Sequence, residues 1–208
     1  MPTIGDRPQT SLKNILEALL LASGEPLSVA NLAAVFDEEP CPSAGDIGKA
    51  LEELADDYAE RGLELKEVAS GFRLQVRQEV NAWISRLWEE RPQRYSRALL
   101  ETLALIAYRQ PITRGDIEEV RGVSVRSNII RTLQEREWIR VVGHRDVPGK
   151  PALFATTRVF LDYFNIKSLD DLPSLAEIRD MDSIEPELEL EPVVEEPPPA
   201  EETRPTET

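Results

Sequence analysis

A loop rich in glycine and proline follows Trp138 and reads Gly143-His144-Arg145-Asp146-Val147-Pro148-Gly149-Lys150-Pro151-Ala152-Leu153-Phe154. Apolar runs at residues 138–142 and 152–156 lead into the loop and out of it. Two short apolar runs separated by Gly and Pro are typical of a β-hairpin. The sequence therefore predicts a hairpin with a long, ordered loop.

Three helix-like segments precede this hairpin, at residues 100–108, 116–120 and 128–137. Thr113 and Asp116, at the start of the second segment, have the spacing of a capping box with Asp in place of the usual Glu. Three helices followed by a two-stranded ribbon is the order of a winged helix.

The same order of elements is predicted earlier in the chain. Ser11 and Ser28 are suited to begin two helices, and Gly24-Glu25-Pro26 ends the first of them. A third helix is predicted over residues 44–61, two strands over 63–68 and 72–76, and a fourth helix over 80–88.

The two regions match at a constant offset of 85 residues. Ile15, Ala22, Pro26 and Leu32 correspond at this offset to Leu100, Ala107, Pro111 and Ile117. An internal repeat on this scale indicates two copies of one domain. The predicted fold class is mainly α with small β-hairpins (α+β), arranged as tandem winged-helix domains.

These patterns predict the domain boundaries. We expect a disordered lead over residues 1–10, one domain over 11–88, a linker over 89–95 and a second domain over 96–175. Residues 176–208 are mostly Glu and Pro with few apolar groups, too few to offset the entropy of ordering. They are predicted to form a disordered acidic tail.

The net charge of −15 is unevenly distributed along the chain. Residues 91–169 contain 14 Lys/Arg and 8 Asp/Glu, a net charge of +6, whereas the flanking blocks are acidic. Such asymmetry is typical of a chain that binds nucleic acid or an acidic partner, or whose own segments attract one another.

Side chains that perform catalysis or bind metals are scarce. His144 and Cys41 are the only histidine and cysteine, which excludes a zinc site of N/S ligands within one chain. No complete P-loop, membrane span or signal peptide is present in the sequence, and a single cysteine fits a reducing cytosol. We expect a cytoplasmic protein that is not an enzyme and uses no cofactor.

DNA binding is an alternative that the charge of the second domain keeps open. The third helix of the second domain is predicted to expose Ser127, Asn128, Arg131 and Glu135. Asn128 and Arg131 could hydrogen-bond to base edges, whereas Glu135 would repel phosphate. The same helix of the first domain is acidic on its outer face, which argues against DNA. A stiff loop over residues 143–151 instead favours protein binding, since it loses little entropy on docking.

Several of these segments resemble the family of segregation and condensation protein B (ScpB). They are Glu101–Thr113 (ETLALIAYRQPIT), residues 117–123 (IEEVRGV), 138–151 (WIRVVGHRDVPGKP), 160–164 (FLDYF) and 169–173 (LDDLP). The likeness extends over about residues 12–175, and the motifs follow one another in the family's order.

The resemblance implies two winged-helix domains, a homodimer formed chiefly through the first, and no catalytic residue. It also implies binding to the kleisin ScpA, which bridges the heads of the SMC ATPase in the bacterial condensin that condenses and segregates chromosomes. The chain is then expected to be nucleoid-associated, with weak or indirect contact to DNA. The alternative is a DNA-binding winged-helix transcriptional regulator, which only the +6 charge of residues 91–169 favours.

Applied to this chain, the resemblance places candidate kleisin contacts in three segments of the second domain. They are Tyr108, Arg109 and Gln110; Arg121 and Gly122; and His144, Arg145, Asp146, Pro148, Gly149 and Pro151. We expect Arg145→Glu to weaken partner binding and spare the fold, because Arg145 lies on a rigid, exposed loop.

Overall fold

The computed structural model describes residues 11–36, 41–87 and 95–174. Its described part is α+β with two small antiparallel sheets, as predicted. The predicted lead (1–10), nearly all of the linker (89–94) and the acidic tail (176–208) lie outside the described residues.

The N-terminal half, residues 11–36 and 41–87, contains three helices, a hairpin and a short final helix. In order they are α1 (Leu12–Ser23), α2 (Val29–Ala33), α3 (Ala44–Asp57), β1 (Leu63–Val68), β2 (Gly71–Val76), a 3₁₀ turn (Gln78–Val80) and α4 (Asn81–Ile84).

The C-terminal half, residues 95–172, repeats this order with one added strand. In order its elements are α5 (Arg97–Arg109), β3 (Ile112–Thr113), α6 (Arg114–Arg121), α7 (Ser127–Glu135), β4 (Ile139–His144), β5 (Ala152–Thr156), α8 (Arg158–Tyr163) and a 3₁₀ turn (Leu169–Asp171).

Serine and threonine caps begin most of these helices. Ser11 and Ser28 accept hydrogen bonds from the first turns of α1 and α2, as predicted. Thr113 and Asp116 form the predicted capping box of α6, with Asp116 N–H donating to Thr113 Oγ1 over 3.2 Å. Helix α7 differs, because Arg126 precedes it and no side chain caps its first turn.

Each half has its own apolar core. That of the N-terminal half consists of Leu16, Leu20, Leu32, Ile47, Ala50, Leu51, Leu54 and Tyr58. That of the C-terminal half includes Leu103, Ile106, Ile117, Val125, Ile129, Ile130, Leu133, Trp138, Phe154 and Phe160. Burial of such side chains from water is the main favourable contribution to folding.

At the 85-residue offset, the buried positions of the second helices of the two halves coincide, whereas those of the first helices do not. Leu32 and Ile117, 85 residues apart, are both fully buried. Leu16 is also fully buried, yet its counterpart at this offset is the exposed Glu101. The two helices also end differently: α1 stops at Gly24 in the left-handed conformation, whereas α5 ends at the extended Gln110.

Two predicted helices of the N-terminal half end earlier than expected. Helix α3 stops at Asp57 rather than residue 61, and the Arg77 guanidinium donates to the carbonyl groups that follow it, including Tyr58 and Arg61. The helix predicted over 80–88 is reduced to the 3₁₀ turn and α4, and Trp88 lies outside the described residues. Trp83 on α4 is 65% exposed.

Polar contacts join the turn between β1 and β2 to α8. The backbone N–H and the hydroxyl of Ser70 donate to the two carboxylate oxygens of Asp162, over 2.9 and 2.6 Å. Arg73 donates to the Asp162 carbonyl over 2.9 Å, and Lys167 pairs with Glu67. We call these five residues the inter-half contact.

Gly71 is required where this turn meets the rest of the N-terminal half. Its φ is +138°, and a Cβ at this position would lie 2.3 Å from the carbonyl oxygen of Leu27. Leu27 and Phe72 are paired through backbone hydrogen bonds there. The close approach of the two backbones fixes the hairpin that carries Ser70.

We expect Asp162→Ala to lower the free energy of unfolding by about 1–3 kcal/mol, because it leaves two donors of Ser70 without their acceptor. Urea denaturation measures the loss. Asp146→Ala is the matched control, since this exposed carboxylate has no hydrogen-bond or ion-pair partner in the described part of the chain. Equal midpoints for the two variants would show that the inter-half contact adds nothing to stability.

Candidate protein-binding surface

The loop between β4 and β5 is ordered by its own backbone. Lys150 N–H donates to the Val147 carbonyl over 2.9 Å, which closes a turn with Pro148 and Gly149 at its centre. Gly149 has φ +87°, the value that a type II turn requires at this position. Arg145 N–H donates to the Pro151 carbonyl over 3.0 Å at the base of the loop. The prediction of an ordered loop is confirmed.

A bidentate ion pair fixes this loop to the start of α6. Arg145 donates to the two carboxylate oxygens of Asp116 over 2.9 and 2.6 Å. Asp116 Oδ2 also accepts from Thr113 N–H over 3.0 Å. The hydrogen bonds from Arg145, followed by that from Thr113 N–H, lower the pKa of the Asp116 carboxyl to about 2. Asp116 in turn raises the pKa of Arg145.

The expectation that Arg145→Glu spares the fold is revised by this ion pair. The substitution removes two charge-assisted hydrogen bonds and places a second carboxylate beside Asp116. A loss of partner binding in that variant is therefore not specific to an interface.

The outer surface of the loop is formed by other side chains. His144, Asp146, Pro148 and Gly149 are exposed, and Pro151 is half-buried. Three valines are exposed nearby, Val147 in the loop and Val141 and Val142 on β4. The surface offered to a partner is therefore mixed apolar and polar.

The segment at the end of α5 has a different set of contacts. The Gln110 side-chain oxygen accepts from Thr156 N–H over 2.7 Å and from its hydroxyl over 3.0 Å. Gln110 therefore joins the end of α5 to the end of β5. Tyr108 is half-buried and Arg109 is exposed.

The third predicted segment lies at the end of α6. The Arg121 side chain is only 12% exposed and donates to Glu101 on α5 over 3.0 Å. Its Nε is buried and has no partner among the described residues. Gly122 ends the helix in the left-handed conformation, with φ +68°.

The structure therefore places the predicted contact residues in three neighbourhoods. The loop lies against the start of α6, Arg121 lies at the other end of α6 against α5, and Gln110 lies at the end of β5. Gln110 and Arg145 hold the fold through contacts that sequence spacing did not reveal. Among the predicted contact residues, the exposed ones are therefore those that a partner can reach directly.

The outer face of α7 bears on the DNA alternative. Asn128, Arg131 and Glu135 are exposed as predicted, but Arg131 pairs with Glu135 over 2.7 Å. The ion pair neutralises the middle of the helix face that a winged helix lays in a DNA groove. On α3 the predicted acidic residues Glu52, Glu53, Asp56 and Asp57 are all exposed.

The described residues contain neither a metal-ligand cluster nor a helix that could span a membrane. No group of three His, Cys, Asp or Glu side chains there is arranged to hold an ion. None of the helices found in those ranges has both the length and the apolar character needed to cross a bilayer.

The Asp116 ion pair predicts a pH-dependent stability. The folded-state pKa lies below the ordinary 3.8, so the contribution of Asp116 is fully present above about pH 4 and is lost as the pH falls toward 2. Asp116→Asn should cost about 1–2 kcal/mol at pH 7, the range expected for hydrogen bonds to a charged group. The deficit relative to the unsubstituted chain should shrink between pH 4 and pH 2.

Urea denaturation at a series of pH values measures this deficit. Asp146→Asn, on the same loop, is the control and should follow the unsubstituted chain throughout. A deficit for Asp116→Asn that stays constant down to pH 2 would contradict the assigned role of the carboxylate.

Comparison with known proteins identifies relatives over most of the chain. A family model described as segregation and condensation complex subunit ScpB matches residues 14–175. A segregation and condensation protein B homolog of Coxiella burnetii is 60% identical over 173 residues, covering 83% of this chain and 83% of the relative. Segregation and condensation protein B of Syntrophotalea carbinolica is 43% identical over 172 residues, covering 82% and 85%.

Solved structures are similar in sequence as well. ScpB from Mycobacterium tuberculosis is 35% identical, with 74% of this chain and 95% of that chain covered and a TM-score of 0.34. A dimer of the ScpB N-terminal domain complexed with ScpA peptide is 34% identical, with 36% and 93% covered and a TM-score of 0.33.

Proposed function

We propose that this chain, which belongs to the segregation and condensation protein B family, forms a homodimer that binds the kleisin ScpA within the SMC condensin complex. In this role it takes part in chromosome condensation and segregation and has no catalytic activity of its own. Family membership over residues 14–175 is the observation that carries the proposal.

Within this proposal the two halves are tandem winged-helix domains, over residues 11–88 and 96–175. The support is the order of elements, since each half has three helices followed by a β-hairpin. Each also has its own apolar core. The first domain is assigned to dimerisation and the second to kleisin contacts.

Exposed apolar side chains support dimerisation through the first domain. Trp83 is 65% exposed and Leu87 is 74% exposed, and the two lie four residues apart at the end of the N-terminal half. Large apolar side chains grouped on a surface mark sites of protein interaction. The peptide complex of a related N-terminal domain is itself described as a dimer.

The exposed part of the β4–β5 loop supports kleisin contact by the second domain. Its turn at Pro148 and Gly149 is fixed by backbone hydrogen bonds, so little conformational entropy is lost on docking. Val147, His144 and Asp146 form the outer surface of this loop. Of the predicted contact residues, the exposed Arg109, His144, Asp146 and Pro148 are the best candidates for direct contact with the kleisin. Gln110 and Arg145 stabilise the domain through their own hydrogen bonds.

Size-exclusion chromatography with light scattering tests the proposal, on the chain alone and mixed with ScpA. We expect a dimer alone and a complex of two copies of this chain with one ScpA. Binding through a largely apolar interface should change little with salt. A chain that ignores ScpA but retards duplex DNA, with affinity falling steeply as salt rises, would favour a DNA-binding regulator instead.

We expect the double substitution Trp83→Ser and Leu87→Ser to convert the dimer to a monomer, because it removes apolar area from the contact. Light scattering at several concentrations measures the shift. Leu100→Ser, an exposed position on α5, is the matched control and should remain dimeric. A dimer that survives the double substitution would place the dimer contact elsewhere.

A further inference from the structure

A cavity of about 360 Å³ lies where α5, the turn after α6 and the start of α7 meet. The polar side chains that line it are Ser96, Arg121, Ser124, Arg126 and Asn128. Among the described residues, no Asp or Glu lines it. The cavity is therefore surrounded by donors and by two positive charges.

Several of these donors have no partner in the described part of the chain. Arg126, Ser124 and Asn128 are exposed and make no hydrogen bond or ion pair there. Arg121 supplies a second guanidinium, held in place by Glu101 and only 12% exposed. An unpaired arginine beside a second, nearly buried one is an arrangement that an anion stabilises.

The start of α7 adds to this preference. No side chain of the described residues caps this nine-residue helix. The Ile129 N–H donates to the Arg126 carbonyl over 3.0 Å, and the first-turn amide protons of Ser127 and Asn128 remain. The positive end of the helix dipole favours negative charge at the same place.

The turn that presents these groups is fixed before any ligand arrives. Val125 is fully buried, and its N–H donates to Glu118 Oε1 over 2.9 Å. Arg114 donates to Glu118 over 3.0 Å, to the Val125 carbonyl, and to the Ser127 hydroxyl over 3.2 Å. A ligand therefore meets donors that need little reorganisation.

We infer that this cavity binds a carboxylate side chain from an acidic peptide segment of the protein partner. Arg126 and Asn128 donate to the carboxylate, and Arg121 supplies positive charge behind them. The identification of the partner rests on the proposed function, whereas the preference for an anion rests on the donors alone.

A peptide fits these surroundings better than duplex DNA. Ala98, Val123 and Ile129 form the apolar part of the lining, and Val123 is 56% exposed. A concave site with mixed lining suits an acidic residue next to an apolar one. Beyond the cavity, α7 continues with the neutral pair of Arg131 and Glu135 rather than with further free cations.

Arg126→Gln and Asn128→Ala, made singly in the full chain, test this site. Neither side chain has a partner within residues 11–36, 41–87 and 95–174, so thermal unfolding should stay unchanged. Affinity for ScpA, measured by titration calorimetry, should fall about tenfold or more for Arg126→Gln, as expected for loss of a charge-assisted hydrogen bond. Arg131→Gln, on the same helix but outside the cavity lining, is the matched control and should bind within about twofold of the unsubstituted chain.

Substitution of single Asp and Glu residues of ScpA by Asn and Gln completes the test. One of them should cost affinity with the unsubstituted chain and cost nothing further with Arg126→Gln, which identifies the carboxylate. Full ScpA affinity in both Arg126→Gln and Asn128→Ala would overturn the site and leave the proposed function standing. No binding of ScpA by the unsubstituted chain would overturn both.

Retardation of duplex DNA tests whether the cavity binds phosphate instead of a carboxylate. The unsubstituted chain should not retard a duplex of 30 base pairs at 150 mM salt. Retardation that Arg126→Gln abolishes, with ScpA affinity unchanged, would assign the donors to phosphate and overturn the peptide assignment.

Discussion

The carboxylate of Asp116 is the acceptor on which the C-terminal half depends. It caps the first turn of α6 through Thr113 N–H and holds the β4–β5 loop through both guanidinium bonds of Arg145. One residue thus sets where a helix starts and where a distant loop lies. Because the loop has its own turn at Pro148 and Gly149, this single attachment is enough to fix its direction. The loop acts as a rigid projection of the domain.

The two halves have separate cores and meet through hydrogen bonds. The contact residues of the N-terminal half lie on one hairpin. Its turn requires a glycine at position 71, because a Cβ on Gly71 would clash with the Leu27 backbone. Asp162 receives both donors of Ser70 from the other side. A polar contact of this kind is directional, so it fixes orientation more than it adds stability. Surfaces on the two halves are thereby held in a defined relation.

Charge separates the candidate functions more clearly than the fold does. Two repeats of three helices and a hairpin are compatible with DNA binding or with protein binding, since a fold hosts many functions. In the N-terminal half the outer face of α3 is acidic. In the C-terminal half five of the ten described arginines are already paired with carboxylates: Arg97 and Arg121 with Glu101, Arg145 with Asp116, Arg114 with Glu118, and Arg131 with Glu135. Around the cavity between α5 and α7, Ser124, Arg126 and Asn128 have no partner among the described residues, an arrangement that suits a single anionic group.

Local features of this protein were determined by the sequence alone. Ser11, Ser28 and Thr113 begin helices because a side-chain oxygen within three residues satisfies a first-turn amide. The hairpins follow from alternating apolar residues around Gly and Pro, and the family follows from motifs that are contiguous in the chain. Tertiary structure alone decided the rest. Arg145 pairs with Asp116, 29 residues away in sequence, and Ser70 pairs with Asp162, 92 residues away, while Arg126 has no partner among the described residues. The physical reason is range: capping and periodicity act between near neighbours in sequence, whereas the pairing of a charge depends on which distant side chains packing brings within hydrogen-bond distance.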